Sequence, residues 1–204
     1  MAGRLIYNES PFMASEFSRD FLFPHVITRY DVRMKALIVV DYQVDFVTGA
    51  LGFAGAEEIE GNILRLIEEY EGRGDDVLFT LDTHEDDYMK TEEGKNLPVP
   101  HCIKNSEGWQ LFGKVKEAAK GHPCFKKPTF GSAELLDYLR EKNYEEVALC
   151  GLDTSICVIS NAVIAKAALP NAHIVCYAKA SGSGDKEAEA VALKQLQRIH
   201  VEIR

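Results

Sequence analysis

The chain alternates between short runs that are apolar throughout and longer segments whose apolar residues recur every three or four positions. Ala36-Leu-Ile-Val-Val40 is the first such run and predicts a strand over 35–40 buried on both faces. Ile59, Ile63, Leu66, Ile67 and Tyr70 then share one face of a helix over about 57–71, with Gly72 and Gly74 to end it. A strand follows at 77–81, then a long polar loop to about Gly113 that contains Pro98 and Pro100. A loop of that length inside a domain usually carries function. The same rhythm predicts a helix near 114–120, a short strand around Cys124-Phe125 and a helix over Ala133–Lys142. A strand at 146–150, a helix near 156–168, a strand at 173–177, a helix near 186–197 and a last strand near 199–203 complete the pattern.

Strands alternating with helices predict the α/β class: a Rossmann-like, three-layer α/β/α sandwich with a mostly parallel sheet of about six strands. In such a sheet all the strand C-termini lie along one edge, where ligands bind. Asp41, Asp82, Lys127 and the Gly151–Cys157 turn all fall on that edge. Residues 1–34 stand apart from this domain of 35–204, because they show no sustained period. They read as an N-terminal extension, disordered or packed on the domain or a partner, or as an upstream start assigned in error.

Charge narrows the partners. The chain has 23 basic and 32 acidic residues, net −9, which argues against nucleic acid or an anionic membrane surface. No apolar run approaches the roughly 20 residues needed to span a bilayer. Phe12, Phe17, Phe21, Leu22 and Phe23 are interrupted by Glu16, Arg19 and Asp20, so they form no secretory core. Five cysteines without regular spacing suit a reducing compartment, and the expected address is the cytoplasm.

Cys157 is the leading candidate nucleophile. Val147-Ala-Leu-Cys150-Gly151-Leu152-Asp153-Thr154-Ser155-Ile-Cys157-Val158 reads as a buried strand, a tight turn and a helix start. A thiol in the first turn of a helix meets unpaired N–H groups and the helix dipole, which favour its anion. Asp41 could accept the thiol proton, Lys127 could hold the thiolate, and backbone N–H groups of the turn could take an oxyanion. Each residue also has a plain reading: a packed cysteine, a strand-end cap, a solvated lysine. Their shared edge makes the set stronger than its members.

A second cluster suits a metal. Asp82-Thr-His84 follows a strand, and His101 returns from the long loop. Mixed Asp/His ligation fits Zn²⁺, Mn²⁺ or Fe²⁺. Cys102, Cys124, Cys150 and Cys176 read as packing, and Gly182-Ser-Gly184 as the loop between a strand and a helix rather than a phosphate cradle.

Asp41-Tyr-Gln43-Val-Asp45-Phe46, Lys127-Pro-Thr-Phe130-Gly-Ser132-Ala133 and the Cys150–Val158 segment resemble, in order, motifs of the isochorismatase-like cysteine hydrolases, the superfamily that includes nicotinamidases. The resemblance runs over about residues 35–203. It implies an Asp41–Lys127–Cys157 triad, a non-proline cis peptide at Leu152–Asp153, and an oxyanion held by the N–H groups of Asp153 and Cys157. It also implies a divalent metal, zinc first, on Asp82, His84 and His101 with Glu93 as a variable further ligand, where the metal grips the substrate's pyridine nitrogen. No organic cofactor is implied.

The expected function is hydrolysis of a small carboxamide, nicotinamide first, with Phe46 and Phe130 walling the ring. Three features depart from the family pattern: Asp153 where a small or apolar residue is usual, Ser155 where Asp is frequent, and Leu97-Pro98 where an aromatic often precedes the Pro-His ligand. The alternatives are an amidase of a carbamoyl or ureido compound, a metallohydrolase with Cys157 incidental, and an inactive binding protein. A homo-oligomer is compatible with the family, although no feature of the chain defines an interface.

Overall fold

The computed structural model describes residues 34–204; the segment 1–34 set apart above lies outside the described residues except for Met34. Six strands, β1 (Lys35–Val40), β2 (Asp76–Asp82), β3 (Cys124–Lys127), β4 (Glu146–Leu152), β5 (His173–Gly182) and β6 (Val201–Ile203), form one sheet in the order β3-β2-β1-β4-β5-β6. Every pairing is parallel.

Alternation along the strands splits the core in two. Ala36, Ile38 and Val40 face a cluster with Leu135, Leu139, Ala162, Ala165 and Leu196, which belong to α5 (Ala133–Lys142), α6 (Ile159–Ala168) and α7 (Lys186–Arg198). Leu37 and Val39 face the other cluster, with Ile63, Leu66, Ile67 and Tyr70 of α2 (Glu60–Arg73) and Val115 of α4 (Val115–Ala118). This is the expected α/β/α sandwich. No helix among the described residues is long and apolar enough to cross a membrane.

Local chemistry sets the helix ends. Ser132 accepts from the Leu135 N–H to start α5, and Asp185 accepts from the N–H groups of Glu187 and Ala188 to start α7. Gly74, at φ 76°, ends α2, whereas Gly72 lies inside it. The helix placed at 57–71 opens with a 3-10 turn at Glu57–Ile59. Two further differences bear on function. The long polar loop carries a 3-10 turn at Tyr88–Lys90 and a short helix, α3 (Glu92–Asn96), whose Thr91 cap accepts from Gly94. Strand β5 runs beyond 177 to Gly182, because after a register shift Ser181 and Gly182 pair with Gly151 and Leu152.

Strand order reverses between β1 and β4, and a crevice opens there at the carboxyl ends of the strands. Val40 and Gly151 are partners across this line, so the segments that leave the sheet after β1 and β4, beginning at Asp41 and Asp153, start close together. Gly151 sits at φ 112°, and a Cβ there would lie 2.0 Å from the Val40 carbonyl oxygen. Gly151→Ala is therefore expected to cost at least about 2 kcal/mol, read as a lower urea midpoint at unchanged slope.

Candidate active site

Four strand ends in a row carry the chemistry: Lys127 on β3, Asp82 on β2, Asp41 just after β1 and Cys157 beyond β4. Adjacent strands lie about 4.8 Å apart, so the lysine stem must reach across β2 to meet β1. It does so fully buried. Its Nζ lies 2.6 Å from Asp41 Oδ2, 3.2 Å from Asp82 Oδ1, 3.1 Å from the Thr129 carbonyl and 3.6 Å from Cys157 Sγ.

Asp41 turns the chain at φ 44°, its N–H donating to the Thr80 carbonyl and hydroxyl oxygens. The Thr80 hydroxyl donates back to Asp41 Oδ1 at 2.7 Å. Oδ2 meets the ammonium as a close ion contact but accepts no well-angled hydrogen bond, which leaves it a lone pair for another proton. Burial holds the Asp41 carboxyl above its usual range, against the pull of Lys127. Burial lowers the Lys127 ammonium, but Asp41, Cys157 and Asp82 more than reverse this and raise it.

Cys157 lies in a π-helical turn, Thr154–Val158, that leads into α6. The N–H groups of Ile156 and Val158 both donate to the Asp153 carbonyl, and the Cys157 N–H between them does not join them there. The Leu152–Asp153 peptide is cis. The expectation of an anionic thiol needs correction: burial first, then the Asp41 carboxylate, push it well above the ordinary thiol range, and Lys127 only partly offsets them. The helix end is outweighed. The Asp153 carboxylate is turned to other work, with Oδ1 accepting from both the N–H and the hydroxyl of Ser155 at 2.7 Å. Asp153 is thus the cap of this turn.

Beside the triad, Asp82, His84, Glu93 and His101 bring four ligand atoms within 4.8 Å of one another. Asp82 Oδ2 lies 2.9 Å from His84 Nε2 and 3.3 Å from His101 Nε2, and each imidazole is 3.7 Å from Glu93 Oε1. The donor set fits a cation. His101 Nδ1 is 2.8 Å from the Val99 carbonyl, which can only accept, so Nδ1 holds a proton, and Nε2 faces two carboxylates either as a second, protonated donor or as a lone pair for a cation. Acceptors facing acceptors require a proton or a metal between them. Asp41 and Asp82 share the ammonium of Lys127, while Glu93 has the two imidazoles beside it. Burial raises Glu93, and the Asp82 charge adds to it. Burial would also raise Asp82, but hydrogen bonds from His101 and His84 and the Lys127 charge hold it far below the usual carboxylate range.

Phe46 packs edge-on against His101 at 5.5 Å between centroids, and the half-exposed Phe130 stands at the mouth of a narrow cavity that reaches Cys157, Asp82 and Glu93. Several functional residues have no signal in the hydrophobic pattern. Gln43 grips the Asp82 backbone in both directions, its Nε2 donating to the carbonyl at 2.9 Å and its Oε1 accepting from the N–H at 2.8 Å. Asn161, four residues after Cys157 on α6, donates to the carbonyls of Cys157 and Phe130 and accepts from the Ser132 N–H. A buried amide at i+4 from the nucleophile was the available clue. Tyr88 packs on both imidazoles, 4.7 Å from His84 and 5.1 Å from His101.

This geometry has known counterparts. Residues 35–203 match the isochorismatase domain, and the chain belongs to that family. The isochorismatase family protein PncA of Bacillus subtilis is 33% identical over 171 residues, covering 78% of this chain and 92% of its own. The crystal structure of nicotinamidase/pyrazinamidase PncA from Bacillus subtilis superposes with a TM-score of 0.75 at 31% identity, over 83% of this chain and 98% of that one. Pyrazinamidase of Pyrococcus horikoshii, solved in complex with zinc, gives a TM-score of 0.74 at 25% identity over 83% and 98% of the two chains.

Removing the lysine tests the buried charge set. Lys127→Met leaves Asp41 and Asp82 buried without their cation, and is expected to cost about 3–5 kcal/mol in urea unfolding of protein without added metal.

Proposed function

We propose that the chain is an amide hydrolase working through a thioester on Cys157, with an uncharged heteroaromatic carboxamide, nicotinamide first, as substrate. The observation that carries this reading is the buried Lys127 ammonium in contact with both Asp41 and Cys157, a base and a nucleophile joined through one cation. The names of the solved relatives, nicotinamidase and pyrazinamidase, favour the heteroaromatic amide.

In this reading Asp41 takes the thiol proton as Cys157 Sγ bonds to the amide carbon. Transfer must accompany attack, because the thiol is held well above its ordinary range. The N–H groups of Asp153 and Cys157 receive the oxyanion. The C–N bond then breaks, and Asp41 gives its proton to the departing ammonia. A water enters, loses a proton to Asp41 and cleaves the thioester; the carboxylic product leaves and the proton returns to Cys157. Lys127 stays cationic throughout. Phe46 and Phe130 flank the ring.

Asp82, His84 and His101, with Glu93, would hold a divalent cation, for which zinc suits the mixed donor set. Bound there, it supplies a Lewis-acid contact that positions a ring nitrogen.

The cavity walls weigh against the alternative of a ureido acid. No Arg or Lys is among the described residues that line it, while Asp82, Glu93 and Asp153 are, so a substrate carboxylate would find no side-chain counter-charge and would have to compete with these carboxylates for the cation. A neutral ureido compound remains the second reading.

Purified protein is expected to release ammonia from nicotinamide, and Cys157→Ala to lose at least about 10³-fold of that rate. Equal rates from both proteins would remove Cys157 as nucleophile. No release by either, with turnover of a neutral ureido compound, would move the substrate to the second reading.

A further inference from the structure

The loop that brings His101 to the cluster has little regular structure to hold it. Close to His101 it is joined to the segment after β2 by a short bridge, in which the His84 N–H donates to the Cys102 carbonyl and the Lys104 N–H donates to the His84 carbonyl. Cys102, next to His101, sits at φ 47°, a left-handed turn that favours glycine. Its N–H donates at 2.7 Å to Oδ2 of Asp45, a half-buried residue of the short helix α1 (Val44–Val47) that otherwise makes no contact with the cluster. Asp45 Oδ1 accepts from the Ala50 N–H at 3.2 Å, and the Asp45 N–H donates to the Gly108 carbonyl. The carboxylate thus ties the Ala50 and Cys102 N–H groups to α1, and the Asp45 N–H adds the Gly108 segment. The packing around it is close: a Cβ on Gly108 would fall 2.1 Å from Asp45 Oδ2.

We propose that Asp45 is a positioning residue for His101, its carboxylate fixing the Cys102 turn that aims the imidazole at Asp82, His84 and Glu93. This rests on the reading of that cluster as a metal site. The His101 ring is held by the Val99 carbonyl on Nδ1 and by an edge-type contact with Phe46, the residue after Asp45. The backbone beneath it is held by Asp45. Asn at 45 offers one acceptor oxygen where two N–H groups need them, so one of the two ties is lost.

Co²⁺ titration of protein freed of metal, read by visible absorption, tests the proposal alongside thermal unfolding of the metal-free protein. Asp45→Asn is expected to weaken Co²⁺ binding about 10–100-fold, the usual range for outer partners of metal ligands, with metal-free unfolding within a few degrees of wild type. Gly108→Ala, which leaves the Asp45 charge but crowds Oδ2, should weaken it in the same direction, and decides the matter if Asp45→Asn does not fold. Unchanged affinity in the variants overturns the proposal, as does a loss of metal-free stability large enough to account for the weaker binding. Failure of wild type to bind Co²⁺ removes the metal reading itself, and this proposal with it.

Discussion

A buried ammonium cannot be left alone, and Lys127 is 1% exposed. Removing such a group from water costs several kcal/mol unless close opposite charge and hydrogen bonds offset it. Asp41, Asp82 and the Thr129 carbonyl do so from three different segments. The register follows from this need. Lys127 pairs with Asp82, and Thr80 pairs with Val40, so the lysine reaches Asp41 only with both ladders in place. Slipping β3 by one residue would turn Lys127 to the other face of the sheet. The Thr83 N–H, donating to the Lys127 carbonyl at 2.9 Å, closes the edge at that point.

The burial that strengthens these ion contacts also governs the thiol. A cysteine at a helix start in water would lean toward its anion, whereas here the surroundings hold the proton on sulfur. In the proposed reaction nucleophile and base thus act as one unit, with sulfur gaining its charge as Asp41 gains a proton. The same burial raises Asp41, and a carboxyl so raised is a better donor to a leaving amine than one in the ordinary range.

Much of this was legible in the chain. Strongly apolar runs locate β1, β2 and β4, and the strand-end positions of Asp41, Asp82 and Lys127 gather them on one edge. The pattern lost its grip where tertiary contacts replace periodicity. Strand β5 read as ending at Tyr177, because the polar residues after it, Lys179 among them, break the apolar run; its extension depends on pairing with Gly151 and Leu152, which no local signal announces. Helix α1 is too short to show a period. The thiol's charge state is not legible, because a sequence reveals a helix end but not how deeply it is buried.

Polar side chains take over where the hydrophobic pattern stops. Asp41, Gln43 and Asp45 alternate along one segment and are assigned to three different neighbours: the Lys127 ammonium, the Asp82 backbone and the Cys102 N–H. Apolar packing is too undirected to set a loop carrying Glu93 and His101 to the fraction of an ångström that a ligand set requires. Directed hydrogen bonds can do this, and they are worth most when both partners are shielded from water. The segment after β1 therefore couples the two halves of the site. It supplies the proposed base at its first residue, at its third it anchors the backbone of Asp82, and at its fifth it anchors the backbone of Cys102, next to His101. A shift of this segment would disturb nucleophile and cluster together, which is why both are built at the line where the strand order reverses, against the most deeply buried strands of the sheet.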